Sequence, residues 1–452
     1  METIAAIATA QSPSAIGIVR LSGEGTRRVL TALFTPASGM AVEALPYRRM
    51  TYGDVRSADG ALLDRGMAVC FSAAHSYTGE ESAELHCHGS PVVLSEVLRS
   101  AFAAGARQAR PGEFTQRAFL NGRMDLTEAE AVIDLIDAET ADAAANAAGQ
   151  IAGAMRQKID PVYDSWVDIC AHFHAVLDYP DEDIDPFELS RLEAELQSSS
   201  RTLSALLASC HRGRMVRSGV KITILGSPNA GKSSLLNALS GFDRVIVTDI
   251  PGTTRDTVEQ TVTLGRHLVR LVDTAGIRDT EDVIEKIGVD RSVEAAKDCD
   301  AALFVVDDSR PLTDEDRRAM DAALEAPEAI AVLNKQDLGA VIEPSDLPFS
   351  YIVPVSCKDG TGFDLLEQAF DMLFPDDVPC DGSLLTNTRQ ADAIVRAKKS
   401  VDAALRSLRA GFTPDAVLVD LEAAMRALGE VTGRTMREDI TNRIFERFCV
   451  GK

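Results

Sequence analysis

A chain of 452 residues, 45% hydrophobic and 25% charged, has room for two to four ordinary globular cores. Its formal net charge of −23 excludes a general nucleic-acid coat, so any contact with RNA is confined to local basic patches. No apolar run reaches the ~20 residues that span a bilayer. The first residues lack the basic start and long apolar core of a secretory leader, and eight scattered cysteines without a CxxC pair fit a reducing cytoplasm.

Residues 1–118 mix short strand-like runs, at 16–20 and 66–71, with glycine and proline turns. From about Met124 the pattern turns helical. Thr127 and Glu130 have capping-box spacing, and Val132, Leu135, Ile136, Ala143, Ala147 and Ile151 follow at helical intervals. Helical texture continues to about Arg214. The acidic stretch Asp178–Asp185 interrupts it; without EF-hand spacing this reads as a solvated loop. From Val220, strand-like runs at 220–225, 267–272, 301–306, 330–333 and 351–355 mostly alternate with helical segments, which predicts an open, largely parallel sheet. Helices return after about Pro375. The expected organisation is an α+β N-terminal domain over 1–118, a discontinuous helical domain over 119–215 and 376–452, and an α/β domain over 216–375 inserted between its halves.

Gly226–Ser233 reads GSPNAGKS and fits the P-loop pattern between a strand and an apolar helix. Backbone amides across Asn229, Ala230, Gly231, Lys232, Ser233 and Ser234 suit a phosphate cradle, with Lys232 on the terminal phosphates and Ser233 on magnesium. The alternative is a chance glycine-rich turn. Asp273-Thr-Ala-Gly276 adds a carboxylate that can hold magnesium through water and an amide for the γ-phosphate. In Asn334-Lys-Gln-Asp337, the Asp337 carboxylate can accept from both N1–H and the 2-amino group of guanine. Adenine lacks that pair of donors. Asn334 supports the base and the Lys335 stem covers it. Ser356, Cys357 and Lys358 stand where guanine-nucleotide-binding proteins usually carry Ser-Ala-Lys. Together these motifs resemble the translation-factor-related branch of P-loop GTPases, which implies a Ras-like α/β domain binding GTP.

The residue after Gly276 is Ile277, where Ras-like proteins have a water-orienting glutamine. Hydrolysis must use another group. Asn229 and the loop 248–256 (TDIPGTTRD) offer carbonyls and hydroxyls that can cage a monovalent cation, with Thr254 as magnesium ligand and γ-phosphate sensor. Glu285 is a candidate for orienting water, although by sequence alone a solvated surface residue is the better reading.

With these motifs and the terminal Cys449-Val-Gly-Lys452, the whole chain resembles the MnmE (TrmE) family of tRNA modification GTPases. The resemblance implies potassium on Asn229, Thr248, Ile250 and Thr253 in place of an arginine finger, and Glu285 as the water-orienting residue. It implies a tetrahydrofolate one-carbon donor in the N-terminal domain, held by Arg20, Glu84, Arg123 and Lys452, with the C-terminal segment folded back to that pocket. Arg123 and Pro251 depart from the family, which often has lysine and alanine there. A cytoplasmic homodimer joined through the N-terminal domains is implied. It would form a heterotetramer with the FAD-dependent partner MnmG and place a carboxymethylaminomethyl or aminomethyl-type group on the wobble uridine of certain tRNAs.

Three features stay open. Cys449 is either a thiol at the reaction centre, activated by Arg447 or Lys452, or a small apolar packing group. His86 and His88 share a strand face as zinc ligands do, but a structural or pocket-lining role is favoured because no third ligand follows at motif spacing. The basic stretches 211–217 and 396–399 with Arg406 and Arg409 could meet RNA, yet each also reads as a plain charged helix face. The rival to the whole reading is a regulatory GTPase without one-carbon chemistry.

Overall fold

The apolar runs resolve into two sheets flanked by helices. The computed structural model describes residues 2–178, 189–242, 260–272, 294–375, 379–435, 441, 444–446 and 448–451. The chain divides into two discontinuous compact units, 1–133 with 151–200 and 396–452, and 134–150 with 201–395.

The first unit carries β1 (Ile4–Ile7), β2 (Ser14–Ser22), β3 (Phe34–Pro36), β4 (Thr51–Arg56), β5 (Leu62–Phe71), β6 (Ser82–Gly89) and β7 (Arg107–Gln108). They form one seven-stranded sheet in the order β3-β4-β5-β6-β2-β1-β7. Pairing is antiparallel except between β1 and β7. Helices α1 (Thr26–Leu33), α2 (Pro91–Ala103) and α3 (Glu113–Leu120) follow the turns. Val19, Leu21, Leu30, Leu85, Leu94 and Val97 belong to one buried cluster, as expected where alternating strands bury one face. The β2–β6 register sets Arg20 directly opposite Glu84.

The helical stretch begins with α4 (Leu126–Ile136) and α5 (Ala141–Ile151). The capping box expected at Thr127 and Glu130 lies two residues earlier. Asp125 Oδ1 accepts from the Glu128 amide at 2.9 Å and from the Thr127 hydroxyl at 2.7 Å, while Glu128 Oε2 accepts from the Asp125 amide at 2.9 Å. Both spacings fit the box. The carboxylate, which only accepts, takes the cap, and the hydroxyl, which can also donate, supports it. Further on come α6 (Ala154–Asp178), α7 (Leu189–Ala208) and α8 (Cys210–Ser218). Within the first unit, buried Trp166 of α6 donates to Ser199 Oγ of α7 at 3.0 Å.

The second unit is built on β8 (Val220–Leu225), β9 (Gln260–Leu264), β10 (His267–Val272), β11 (Ala301–Asp307), β12 (Ala329–Asn334) and β13 (Tyr351–Pro354). Their order is β13-β12-β11-β8-β10-β9. The five expected runs are parallel strands. The sixth, β9, pairs antiparallel with β10 and was not among them. Its alternating Gln-Thr-Val-Thr-Leu buries only Val262 and Leu264, so it lacks the continuous apolar run that marks a central strand. Every residue of β11 is buried. Helices α9 (Lys232–Phe242), α10 (Asp314–Ala323) and α11 (Phe363–Leu373) complete this layer, and α12 (Thr388–Arg409) and α13 (Pro414–Thr432) follow. Because β8, β11, β12 and β13 run parallel, the loops after them collect at one edge of the sheet, where open α/β sheets take their ligands. Among the described residues, no helix is long and apolar enough to cross a membrane.

Candidate functional site

The loop after β8 is shaped by its backbone. Asn229 adopts φ 62° and Gly231 φ 99°. A Cβ on Gly231 would stand 2.0 Å from Asn334 Nδ2, and one on Gly226 would stand 2.2 Å from the Val305 carbonyl. Gly231 is therefore needed for conformation as well as close approach, and Gly226 for close approach. Lys232 opens α9, and its Nζ donates to the carbonyls of Gly226 at 2.7 Å and Ser227 at 2.8 Å. Burial lowers the Lys232 pKa, and the nearby Asp316 charge opposes that shift. Its hydrogen bonds are to neutral carbonyls, so a phosphate would find a poorly compensated ammonium. Ala230 is buried, while Asn229, Ser233 and Ser234 are exposed.

The loops after β12 and β13 lock onto this one. Asn334 Nδ2 donates to the Ala230 carbonyl at 3.0 Å, and its Oδ1 accepts from the Cys357 amide at 3.3 Å. Asn334 is thus a strut between loops rather than a group facing outward. Lys335 sits at φ 66°, a left-handed conformation that turns the chain sharply after the strand. Its Nζ donates to Asp307 Oδ2 at 2.6 Å. The two Asp337 oxygens accept from Ser356 Oγ and Lys358 Nζ, each at 3.2 Å. Burial works against the Asp337 charge, but these bonds outweigh it and hold the carboxyl below its ordinary range. The Cys357 thiol is pushed up to about 11 by burial, with the Asp337 charge adding to it; its contribution here is its backbone amide.

In the first unit a second constellation forms. Arg20 Nε donates to Glu84 Oε1 at 3.0 Å, and Arg20 Nη2 lies 2.9 Å from the same oxygen. His86 Nε2 meets Glu84 Oε2 at 3.1 Å. The Arg20 guanidinium stands 5.9 Å from the Tyr77 ring and 5.7 Å from the Phe114 ring, within cation–π range. Arg123 is exposed and lies against Gly79, two residues from Tyr77. His88 turns to Asp64 at 2.8 Å, so the two histidines engage separate carboxylates. Among the described residues, no three His, Cys, Asp or Glu groups are arranged to hold a metal ion.

The C-terminal segment closes onto this end of the unit. Phe445 and Phe448 are buried with Leu126 and Ala129. The Gly112 amide donates to the Cys449 carbonyl at 3.3 Å, and Val450 bridges Pro111. Arg20 Nη1 donates to the Gly451 carbonyl at 3.5 Å. Gly451 has φ 101°, and a Cβ there would stand 2.4 Å from the Ile7 carbonyl. Cys449 itself is exposed, so the phenylalanines and not the thiol supply the packing.

Thr248, Ile250, Thr253, Thr254, Asp273, Gly276, Glu285 and Lys452 lie outside the described residues. The sequence reading missed Asp307, Tyr77 and the pairing role of His86. Asp307 had a signal, as a carboxylate at the carboxyl end of a fully buried parallel strand.

The loop geometry at the sheet edge defines a P-loop nucleotide-binding protein with a separate ion-paired site in its other unit. Family models for the "MnmE helical domain" and the "GTP-binding protein TrmE N-terminus" match residues 126–449 and 3–123. The tRNA modification GTPase MnmE of Roseiflexus sp. (strain RS-1) is 43% identical over 100% of this chain and 99% of its own length. The MnmE proteins of Thermoanaerobacter sp. (strain X514) and Symbiobacterium thermophilum are 40% and 41% identical, again over 100% of this chain and 99% of theirs. The chain belongs to the MnmE family.

Proposed function

We propose that this chain is a GTP hydrolase that acts in modification of the tRNA wobble uridine, with a tetrahydrofolate derivative as one-carbon donor. The observation that carries the nucleotide half is Asn334, whose amide ties the phosphate loop to the loop bearing Cys357, so that both ends of a nucleotide would meet one braced frame. In this reading Lys232 exchanges its two carbonyl partners for the β- and γ-phosphates. Asp337 releases Ser356 and Lys358 to accept from the guanine edge, and the Lys335 stem lies over the base. Ser233 and Thr254 would hold magnesium, with Asp273 behind a water; Asn229, Thr248, Ile250 and Thr253 would hold potassium. The two cations would offset charge developing on the phosphates. Gly276 donates to the γ-phosphate, and Glu285 orients the attacking water.

In the first unit, Glu84 would accept from the pterin edge, and Arg20, Arg123 and Lys452 would meet the folate's acceptors and glutamate tail. The Arg20–Glu84 pair, with the Arg20 guanidinium beside the Tyr77 ring, supports this reading, since a flat heterocycle needs both hydrogen-bonding edges and an aromatic face. The working assembly is a cytoplasmic homodimer acting with the FAD-dependent partner MnmG on tRNA.

Phosphate release by the purified chain tests this. GTP should be hydrolysed and ATP ignored, faster in potassium than in sodium. Glu285→Ala should bind GTP and lose most turnover. Equal rates in the two salts would remove the potassium site. Failure of the chain to bind reduced folates, or unchanged wobble nucleosides in tRNA from cells lacking it, would remove the one-carbon role.

A further inference from the structure

Arg310 belongs to none of the nucleotide motifs, yet three parts of the site converge on it. It follows the end of β11 by three residues, and its side chain is one-third exposed at 34%. Nη1 donates to Asp316 Oδ2 at 2.7 Å, and Nη2 donates to Ser227 Oγ at 3.3 Å. Nε lies 3.8 Å from Asp307 Oδ2, the oxygen that takes the Lys335 ammonium.

Each partner is itself fixed. The Asp316 side chain is fully buried and completes the capping box of α10 with Thr313. Ser227 is the second residue of the phosphate loop and is 3% exposed. Its carbonyl accepts from Lys232 Nζ at 2.8 Å and from the Ala230 amide at 3.3 Å. A guanidinium offers five donors in a rigid plane, so one side chain can hold a carboxylate and a hydroxyl in set directions at once.

We propose that Arg310 is a positioning residue that fixes the phosphate loop against the capped start of α10 and, through Asp307, ties it to Lys335 at the base end. This rests on the guanine-nucleotide reading above. Arg310 acts through Ser227 and Asp307, so its removal loosens the site for diphosphate and triphosphate alike. Arg310, Ser227 and Asp316 behave as one network, because the Ser227 hydroxyl bonds the Asp316 carboxylate as well as taking the guanidinium bond.

The test is stopped-flow release of fluorescent mant-GDP and mant-GTP from the full chain. Wild-type binding checks the nucleotide reading by itself; if wild type holds neither analogue, that reading fails and takes the brace with it. With wild type binding, Arg310→Ala should release both analogues roughly tenfold faster, the scale of losing a charge-assisted hydrogen bond. Ser227→Ala should also speed release, and Arg310→Ala with Ser227→Ala should be faster than either alone by less than the product of the two effects, because both groups act on the one Asp316 carboxylate. Arg310→Lys should keep the thermal melt of wild type but not its release rate, since an ammonium cannot span both partners. Should Arg310→Ala fail to fold, Ser227→Ala and Arg310→Lys carry the test. Wild-type release rates in the folded variants, or additive effects of the two alanines, would overturn the brace.

Discussion

The two sites of this protein are held by different means. In the second unit the nucleotide frame depends on backbone geometry: Asn229, Gly231 and Lys335 all have positive φ, and the glycine leaves no room for a Cβ beside Asn334. In the first unit the frame depends on charge and on the chain's end. Arg20 and Glu84 pair across β2 and β6, and Gly451 closes on Arg20 from 431 residues away. Close by, the Glu113 side chain, only 3% exposed, is gripped by Arg107 at 2.6 Å and Arg117 at 3.1 Å. φ angles and hard contacts ignore pH and salt; ion pairs, which the nucleotide side adds through Lys335–Asp307 and Arg310–Asp316 and on which the first unit mainly relies, do not.

Gly231→Ala should produce the largest loss on the nucleotide side. The left-handed φ and the contact with Asn334 together should lower guanine-nucleotide affinity at least a hundredfold, about 3 kcal/mol, at any pH between 6 and 9. Titration with mant-GDP measures it; an affinity within tenfold of wild type would mean the loop is not held by its backbone.

Glu113 is the corresponding pressure point of the first unit. Burial opposes its charge, but the Arg107 bond, the Arg110 amide and the Arg117 bond outweigh that and bring its pKa down to about 2. A carboxyl depressed on folding contributes stability that is present above its ordinary value and is lost as pH falls toward the folded one. The window therefore runs from about pH 4.5 down to 2. Glu113→Gln should cost about 2–3 kcal/mol at pH 7, and the gap from wild type should close as the pH approaches 2. Denaturant melts across that range test it. A gap that persists at low pH would assign the loss to packing instead of charge.

This contrast also explains what the sequence disclosed. The phosphate loop and the Asn334–Asp337 stretch are legible because each needs fixed residue types at fixed short spacing. The parallel strands are legible because a strand buried on both faces, such as Ala301–Asp307, has no polar interruption. β9 hides because its alternation is weak. The helix cap was misplaced because Asp125 and Thr127 both open a box-like pattern, and only the hydrogen bonds decide which accepts. Arg20 and Glu84 came from family resemblance, not from pattern. Pairs separated by 64 positions leave no local signal, and neither does the approach of the Arg20 guanidinium to the Tyr77 ring. Asn334 was recognised as a base-site residue, but its bond to the Ala230 carbonyl depends on two loops meeting in space.

The tail sharpens the comparison further, because it combines both means. Gly451→Ala places a Cβ against the Ile7 carbonyl at a positive φ, as Gly231→Ala does in the other unit. Here the buried rings of Phe445 and Phe448 remain to hold the segment. The loss should be local, about 1–2 kcal/mol. It should be read as faster hydrogen exchange at the Gly112 amide, which donates to Cys449. Unchanged exchange there would mean that the aromatic pair alone seats the tail.

Cys449→Ser should be smallest of all in stability. The thiol is exposed, and the segment is held by the Cys449 carbonyl, which the substitution keeps. The melt should move by less than about 0.5 kcal/mol. Its chemistry is another matter. Burial pushes Cys87 up to about 12 and Cys170 and Cys299 up to about 11, so these thiols resist alkylation. Cys449 is the one exposed cysteine. The fastest phase of iodoacetamide labelling should therefore belong to Cys449 and vanish in Cys449→Ser, leaving slower labelling at half-buried Cys210 and Cys380. If tRNA modification then falls while folate binding and the melt hold, the thiol takes part in the carbon transfer. If modification persists at the wild-type rate, Cys449 serves the site only through the backbone bond that seats the tail.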